Sequence, residues 1–242
     1  MLSTLVRGAR ELGVELDARQ LATFERYYRL LEATGSRSSV TAVRGYEAVQ
    51  QRHFLESLAL LPPLREAGLL APGRRERALD LGAGAGLPGL PLKIAAPQLE
   101  LTLLEATARK ADFLREAVHH LALDGVEVLV ARAEDAARQA TVRESYDLVV
   151  ARAVAPLPVL LELALPFLRV GGALAAPKGS RAPQEVRRSE RALDILGGEL
   201  LSAAALAVPG AEHRPWLILV RKVAPTPEMY PRRPGIPAKR PL

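Results

Sequence analysis

A twelve-residue stretch, Ala78-Leu79-Asp80-Leu81-Gly82-Ala83-Gly84-Ala85-Gly86-Leu87-Pro88-Gly89, limits the folds open to this chain more than any other feature. An apolar run carrying one acid breaks into a glycine-rich turn and then restarts as helix. Four glycines in eight positions let the backbone turn tightly and approach a ligand with no Cβ in the way. Such a turn between a strand and a helix N-terminus is a common nucleotide-binding device in doubly wound α/β sheets.

The flanking chain supplies the alternation that such a sheet needs. The pattern predicts strands at 77–81, 99–105, 126–130, 146–151 and 171–176, with helices at about 88–95, 107–121, 134–140, 156–168 and 183–196. That order implies a mostly parallel sheet covered by helices on both faces. Its end differs. Glu199 to Val208 and Trp216 to Val223 are apolar stretches joined by Pro209-Gly210-Ala211-Glu212-His213-Arg214, a gap too short for a helix. The two are expected to pair as an antiparallel hairpin. Upstream, residues 2–61 read as helical. Asp17 is placed to cap a helix with apolar positions at Leu21, Phe24, Tyr28 and Leu31, ending near Gly35-Ser36. A second helix, about Tyr46 to Leu61, is expected to stop at Pro62-Pro63, and the stretch onward to Arg77 reads as a linker. The chain thus divides into an N-terminal helical segment (1–75), an α/β domain (76–223) and a Pro-rich basic tail (224–242).

Composition narrows the class. A chain of 242 residues with 49% apolar content can bury a full core. It has no Cys, which excludes disulfides and thiolate metal sites, and no metal is expected. Without a signal-like start or a membrane-length apolar run, a soluble cytoplasmic protein that avoids membranes is expected. A monomer is expected too. The net charge of +6 is concentrated at the end. From Arg221 to Leu242 six basic residues face one acid, Glu228. Such a tail suits contact with a phosphate backbone, and it suits a solvated terminus equally well.

The glycine loop fits two cofactors. Gly84-Ala85-Gly86-Leu87-Pro88-Gly89 satisfies the dinucleotide fingerprint G-x-G-x-x-G. Asp80-x-Gly82-x-Gly84-x-Gly86 satisfies the acidic-plus-glycine loop of methyltransferases that use S-adenosylmethionine. Glu105, ending the second strand, serves a ribose in either. Three features favour the methyl donor. Asp80 precedes the first glycine by two residues, where a dinucleotide fold runs apolar strand into its glycine. Pro88 and Pro91 remove N–H donors that a pyrophosphate would use. The closing hairpin is the ending of the class I methyltransferase (Rossmann-like) seven-stranded sheet.

Several segments carry a closer resemblance. Arg52-His53-Phe54-Leu55-Glu56-Ser57, the Leu79–Leu92 loop region, Ala151-Arg152-Ala153-Val154-Ala155-Pro156, Lys178-Gly179 and Tyr230-Pro231-Arg232-Arg233-Pro234-Gly235 resemble the RsmG (GidB) family. These bacterial enzymes methylate N7 of a guanine in 16S ribosomal RNA of the small subunit. The likeness runs from about Leu16 to Leu242, with one departure: the family's Asn-Leu-Thr is Ser39-Val40-Thr41 here. The resemblance implies S-adenosylmethionine as cofactor. It places Gly82 and Leu87 at the methionine end with Gly84 also on the cofactor, Glu105 on the ribose with Ala106 and Thr107 beside it, and Ala133 and Glu134 at the adenine edge. Arg152 would face cofactor and substrate together, with Lys178, Arg232 and Arg233 as further contacts to RNA.

Plainer roles stand beside these. Glu134 equally suits a helix N-terminus, and Lys178 suits a loop surface. His53 reads as a structural histidine on an apolar helix face, Trp216 as core, and Tyr230 as either a tail anchor or a stacking platform. No catalytic acid–base set is evident, and guanine N7 needs none. Its free lone pair can attack a sulfonium methyl without first losing a proton, so alignment is what remains to be supplied. The base must be unpaired or splayed out to be reached. With 4% aromatic residues, recognition by charge and shape is expected, with steep salt dependence.

Overall fold

The apolar runs form one seven-stranded sheet in a computed structural model that describes residues 2–35, 41–71, 73–212 and 214–242. The strands are β1 (Arg77–Leu81), β2 (Glu100–Glu105), β3 (Val126–Val130), β4 (Tyr146–Val150), β5 (Leu168–Lys178), β6 (Gly198–Ala205) and β7 (Trp216–Lys222). Their order is β3-β2-β1-β4-β5-β7-β6. The first five run parallel, and β7 enters antiparallel between β5 and β6. The mostly parallel seven-stranded sheet and its closing hairpin are therefore both present.

Strand order reverses between β1 and β4, and the crevice at that switch point lies at their carboxyl ends, where α/β sheets bind ligands. Alternate side chains feed two cores. Ala78, Leu101, Leu103, Leu148 and Val150 pack on one face, and Leu79, Leu81, Leu104 and Val149 on the other. Because both faces are covered, the central strands are largely apolar, with Asp80 and Thr102 as buried polar exceptions. The N-terminal helices supply much of the first cover, with Leu5, Phe24, Tyr27, Leu31, Phe54 and Leu58 in the same cluster as the sheet residues.

Local chemistry explains the helix starts. Asp17 and Gln20 cap helix Ala18–Gly35 reciprocally: Gln20 N–H donates to Asp17 Oδ1 at 2.7 Å, and Asp17 N–H to Gln20 Oε1 at 2.8 Å. Pro62-Pro63 corrects the sequence expectation. They occupy the first turn of a further helix, Leu61–Glu66, where missing N–H groups cost nothing. The stretch taken for a linker therefore begins as helix. Two other elements are interrupted. The helix from Tyr46 passes through a π-helical turn, Gln50–Leu55, and the one expected at 183–196 breaks into Ala182–Arg187 and Glu190–Leu196. β5 is longer than expected, because its outer ends pair with β4 at Leu168 and with β7 at Lys178. Ser39 and Val40 of the departure from the family pattern lie outside the described residues.

The tail is folded onto the second core. Tyr230 is buried there and so serves as an anchor. Arg143 donates to the carbonyls of Tyr230 and Thr226 at 2.9 and 2.8 Å, and Arg138 to that of Pro231 at 2.6 Å. Arg232 forms a two-pronged ion pair with the fully buried Glu162, at 2.9 and 2.6 Å. Lys222 is buried and donates to the Leu165 carbonyl at 2.9 Å. Trp216, expected in the core, is half-buried at the start of β7. Arg232→Ala should therefore cost about 3 kcal/mol in urea unfolding by stranding a buried carboxylate. Adding Glu162→Gln should recover most of that loss; equal stability of the single variant and wild type would show the pair to be idle.

Candidate active site

The glycine loop leaves β1 and doubles back over the end of β2. Gly82 and Ala83 N–H groups both donate to the Leu104 carbonyl, at 2.9 and 3.0 Å. Gly82 has φ 71°, which residues with a Cβ rarely adopt, and a Cβ there would stand a tight 3.0 Å from Val154 Cγ2, so a side chain would be strained. A Cβ on Gly84 would instead meet only the Gly82 carbonyl, at 3.8 Å. The loop thus presents bare backbone to open space.

Two buried carboxylates hold it from below. Glu105 Oε2 accepts from Gly84 N–H at 3.1 Å and Oε1 from Thr107 N–H at 2.8 Å. Asp80 Oδ2 accepts from Gly89 N–H, opening helix Gly89–Ala95, at 2.8 Å. Asp80 Oδ1 is buried without a hydrogen-bond partner among the described residues. Burial pushes the Asp80 carboxyl up to about 7; the Gly89 N–H and Arg152 pull against that, and Glu105 adds to it. A third hold comes from the N-terminal segment. Tyr27, fully buried, donates its hydroxyl to the Ala85 carbonyl at 2.5 Å, and burial raises its phenol far above the ordinary value.

The opposite wall follows β4. Arg152 Nη1 donates to the Arg52 carbonyl at 3.1 Å and faces Glu56 Oε2 at 3.4 Å. Burial lowers its guanidinium pKa, while Glu56 and Asp80 raise it. Ala153 carries φ 58°, an uncommon conformation for a residue with a Cβ, in the segment that sets Val154 against Gly82. Lys178 closes this wall. Its ammonium donates to the Ala155 carbonyl at 2.5 Å and to Glu185 at 2.8 Å, and Glu185 also accepts from Leu157 N–H.

The structure brings most of the sequence-derived residues to one end of the sheet. Gly82, Gly84 and Leu87 follow β1, with Leu87 buried. Glu105 ends β2, with Ala106 and Thr107 exposed just beyond it. Ala133 and Glu134 follow β3, and Arg152 follows β4. Glu134 is engaged with the tail, accepting from Gly235 N–H at 3.0 Å. Lys178 and Arg232 are held within the chain by Glu185 and Glu162 rather than projecting outward, whereas Arg233 is exposed. His53 has both ring nitrogens engaged, Nδ1 with the Arg52 carbonyl at 3.1 Å and Nε2 with Thr41 Oγ1 at 2.7 Å. Burial lowers its pKa to about 4, so the ring is neutral at pH 7.

Sequence does not single out Tyr27, and Glu56 enters only within the Arg52–Ser57 segment, with no role of its own. Tyr27 reads as one more apolar-face aromatic, and only a contact 58 positions away reveals its hydroxyl's role. Another cavity, of about 850 Å³, is lined by Leu2, Val6, Leu21, Arg29 and the acids Glu11 and Glu25, and shares no residue with the loop. No described helix is long and apolar enough to cross a membrane, and no described acid or histidine cluster could hold a metal ion.

Comparison with known proteins gives the family. Residues 20–213 match the GidB family, described as rRNA small subunit methyltransferase G. The chain is 44% identical over 241 residues to the ribosomal RNA small subunit methyltransferase G of Dehalococcoides mccartyi, covering 100% of both chains. It is also 44% identical over 238 residues to that of Chloroflexus aggregans, covering 98% of this chain and 97% of the relative. Among solved structures, a mutant of MtNAS in complex with S-adenosylmethionine superposes with a TM-score of 0.54 at 18% identity, covering 92% of this chain and 78% of that one. That likeness is one of fold.

The raised Asp80 pKa sets a pH dependence. The native carboxyl keeps its proton up to about pH 7, whereas the unfolded one releases it near 3.8. The native state then binds more protons between those values, so this group's contribution falls as pH rises from 4 to 7 and stays low above. Asp80→Asn should remove that fall, seen as a flatter difference profile in urea unfolding. An unchanged slope would show Asp80 to be ionised throughout.

Proposed function

Because the chain belongs to the ribosomal RNA small subunit methyltransferase G (GidB) family, we propose that it methylates N7 of a guanine in 16S ribosomal RNA, with S-adenosylmethionine as methyl donor. The full-length 44% identity to named members carries this reading. The residues of the crevice fit the cofactor. Bare backbone at Gly82 and Gly84, with Leu87 beside it, suits the methionine end. Each Glu105 oxygen accepts one N–H and keeps a lone pair for a ribose hydroxyl, next to Ala106 and Thr107. Ala133 and Glu134 line the adenine side. Asp80 Oδ1 is a buried polar atom without a partner among the described residues, left for a polar ligand group or an ordered water.

The cofactor, when bound, supplies an electrophilic methyl on a sulfonium centre. The chain's task is to place N7 in line with it and to keep water out. Guanine N7 has no proton to lose, which suits a cleft whose histidine is buried, neutral and engaged at both nitrogens. Alignment then supplies the rate, and Arg152, at the switch point, is the residue placed to orient the base. Among the basic residues expected to meet RNA, Arg233 is the exposed one. Lys178 and Arg232 contribute by holding the β4 wall and the tail.

Incubation of small-subunit ribosomal RNA, free or assembled, with labelled cofactor tests this. Mass mapping should find the label on one guanine; label on protein, on a small molecule or nowhere would overturn the reading. Arg152→Ala should lower methyl transfer roughly 100-fold, the scale of losing one preorganised charged donor. Turnover at the wild-type rate would show that Arg152 does not orient the base. Tyr27→Phe, which frees the Ala85 carbonyl, should raise the Kd for S-adenosylmethionine in calorimetry. An unchanged Kd would mean that the loop needs no third hold.

A further inference from the structure

A base reaches the crevice on a chain of phosphates, and a surface outside the crevice must hold that chain. The sequence concentrates its basic surplus in the tail, and the fold uses up half of it. Arg221 donates to the Gly171 carbonyl at 2.9 Å, Lys222 is buried, and Arg232 is paired with Glu162. A second, unneutralised cluster lies beside the β4 wall.

Lys178 ends β5, and the chain then runs through Gly179-Ser180-Arg181 into the helices Ala182–Arg187 and Glu190–Leu196. Arg181, Arg187, Arg188 and Arg191 are all exposed, and among the described residues none of the four forms a side-chain hydrogen bond or ion pair. Three exposed arginines elsewhere are neutralised locally. Arg75 faces Glu100 at 3.9 Å, Arg115 faces Asp112 at 2.8 Å, and Arg169 faces Asp147 at 2.7 Å. Here Glu185 is taken up by Lys178 and by Leu157 N–H, which leaves Glu190 and Asp194 against four guanidinium groups.

The cluster is fastened to the crevice. Lys178 donates to the Ala155 carbonyl at 2.5 Å, and Glu185 accepts from Leu157 N–H at 2.7 Å. Both contacts tie the arginine-bearing segment to the loop that carries Arg152. The exposed residues of that loop, Ala153, Val154 and Pro156, are uncharged, so it offers no carboxylate to repel a phosphate.

We infer that Arg181, Arg187, Arg188 and Arg191 form a docking surface for the phosphate backbone of the substrate RNA, flanking the base held in the crevice. This rests on the RNA reading above. A guanidinium is permanently charged and presents a fork of donors that matches phosphate oxygens. Phosphate contacts carry no sequence information but fix where the nucleic acid lies. The cluster thus sets affinity and placement, while the crevice selects the base. Counterion release makes its contribution readable as salt dependence.

Binding and methylation of small-subunit ribosomal RNA across a series of salt concentrations test this with two variants of equal charge loss. Arg187→Gln/Arg188→Gln should raise the KM for RNA, with kcat at saturating RNA and the Kd for S-adenosylmethionine unchanged. It should also lower the slope of log K against log salt by about 1.5, the counterions of two phosphate contacts. Arg75→Gln/Arg169→Gln, at the amino ends of the parallel strands, should leave that slope at its wild-type value. Arg187→Lys/Arg188→Lys should keep the wild-type slope too, because the released counterions follow charge. A wild-type slope and KM in Arg187→Gln/Arg188→Gln, or an equal loss in Arg75→Gln/Arg169→Gln, would overturn the inference and leave the methylation reading intact. A wild type that transfers no methyl to RNA would refute that reading, and the inference with it.

Discussion

The architecture depends on two carboxylates buried at the ends of adjacent strands. Asp80 and Glu105 accept backbone N–H groups of the glycine loop, fixing both its middle at Gly84 and its exit at Gly89. A loop of small residues has no side chains with which to define its own path, so its shape must be imposed from outside. Burying acids is costly unless they are hydrogen-bonded. Glu105 is satisfied at both oxygens; Asp80 is satisfied at one, and burial raises its pKa. Holding the loop ready before a ligand arrives lowers the ordering cost of binding.

The segments at either end of the chain belong to the same construction. Helix Ala18–Gly35 brings Tyr27 to the Ala85 carbonyl, and the π-helical turn brings the Arg52 carbonyl and Glu56 to Arg152. Both sides of the crevice are thus braced by the N-terminal helices. The tail braces the segment after β3 through Glu134 and locks itself down through Glu162. Deleting residues 224–242 would strand Glu162, so truncation would report on folding as much as on RNA binding.

Local pattern made the sheet legible. Short apolar runs separated by helical stretches located all seven strands, and the short gap at 209–214 required the closing hairpin. The glycine loop and Glu105 were legible because their chemistry depends on near neighbours. The cap at Asp17 was legible for the same reason. What local pattern hides is pairing across long separations. Arg232 and Lys178 look like free cations until Glu162 and Glu185 are seen beside them. Pro62-Pro63 reads as a stop from local pattern, yet the pair opens a further helix whose Leu61 and Leu64 are buried. Tyr27 and Glu56 gain meaning only from partners 58 and 96 positions away.

The central claim is that this braced crevice is a preformed site for S-adenosylmethionine rather than for a dinucleotide. Calorimetric titration of the full chain with S-adenosylmethionine and, separately, with NADH addresses it most directly. Saturable 1:1 binding of S-adenosylmethionine with no heat from NADH is the expected result; binding of NADH, or no binding of S-adenosylmethionine, would contradict it.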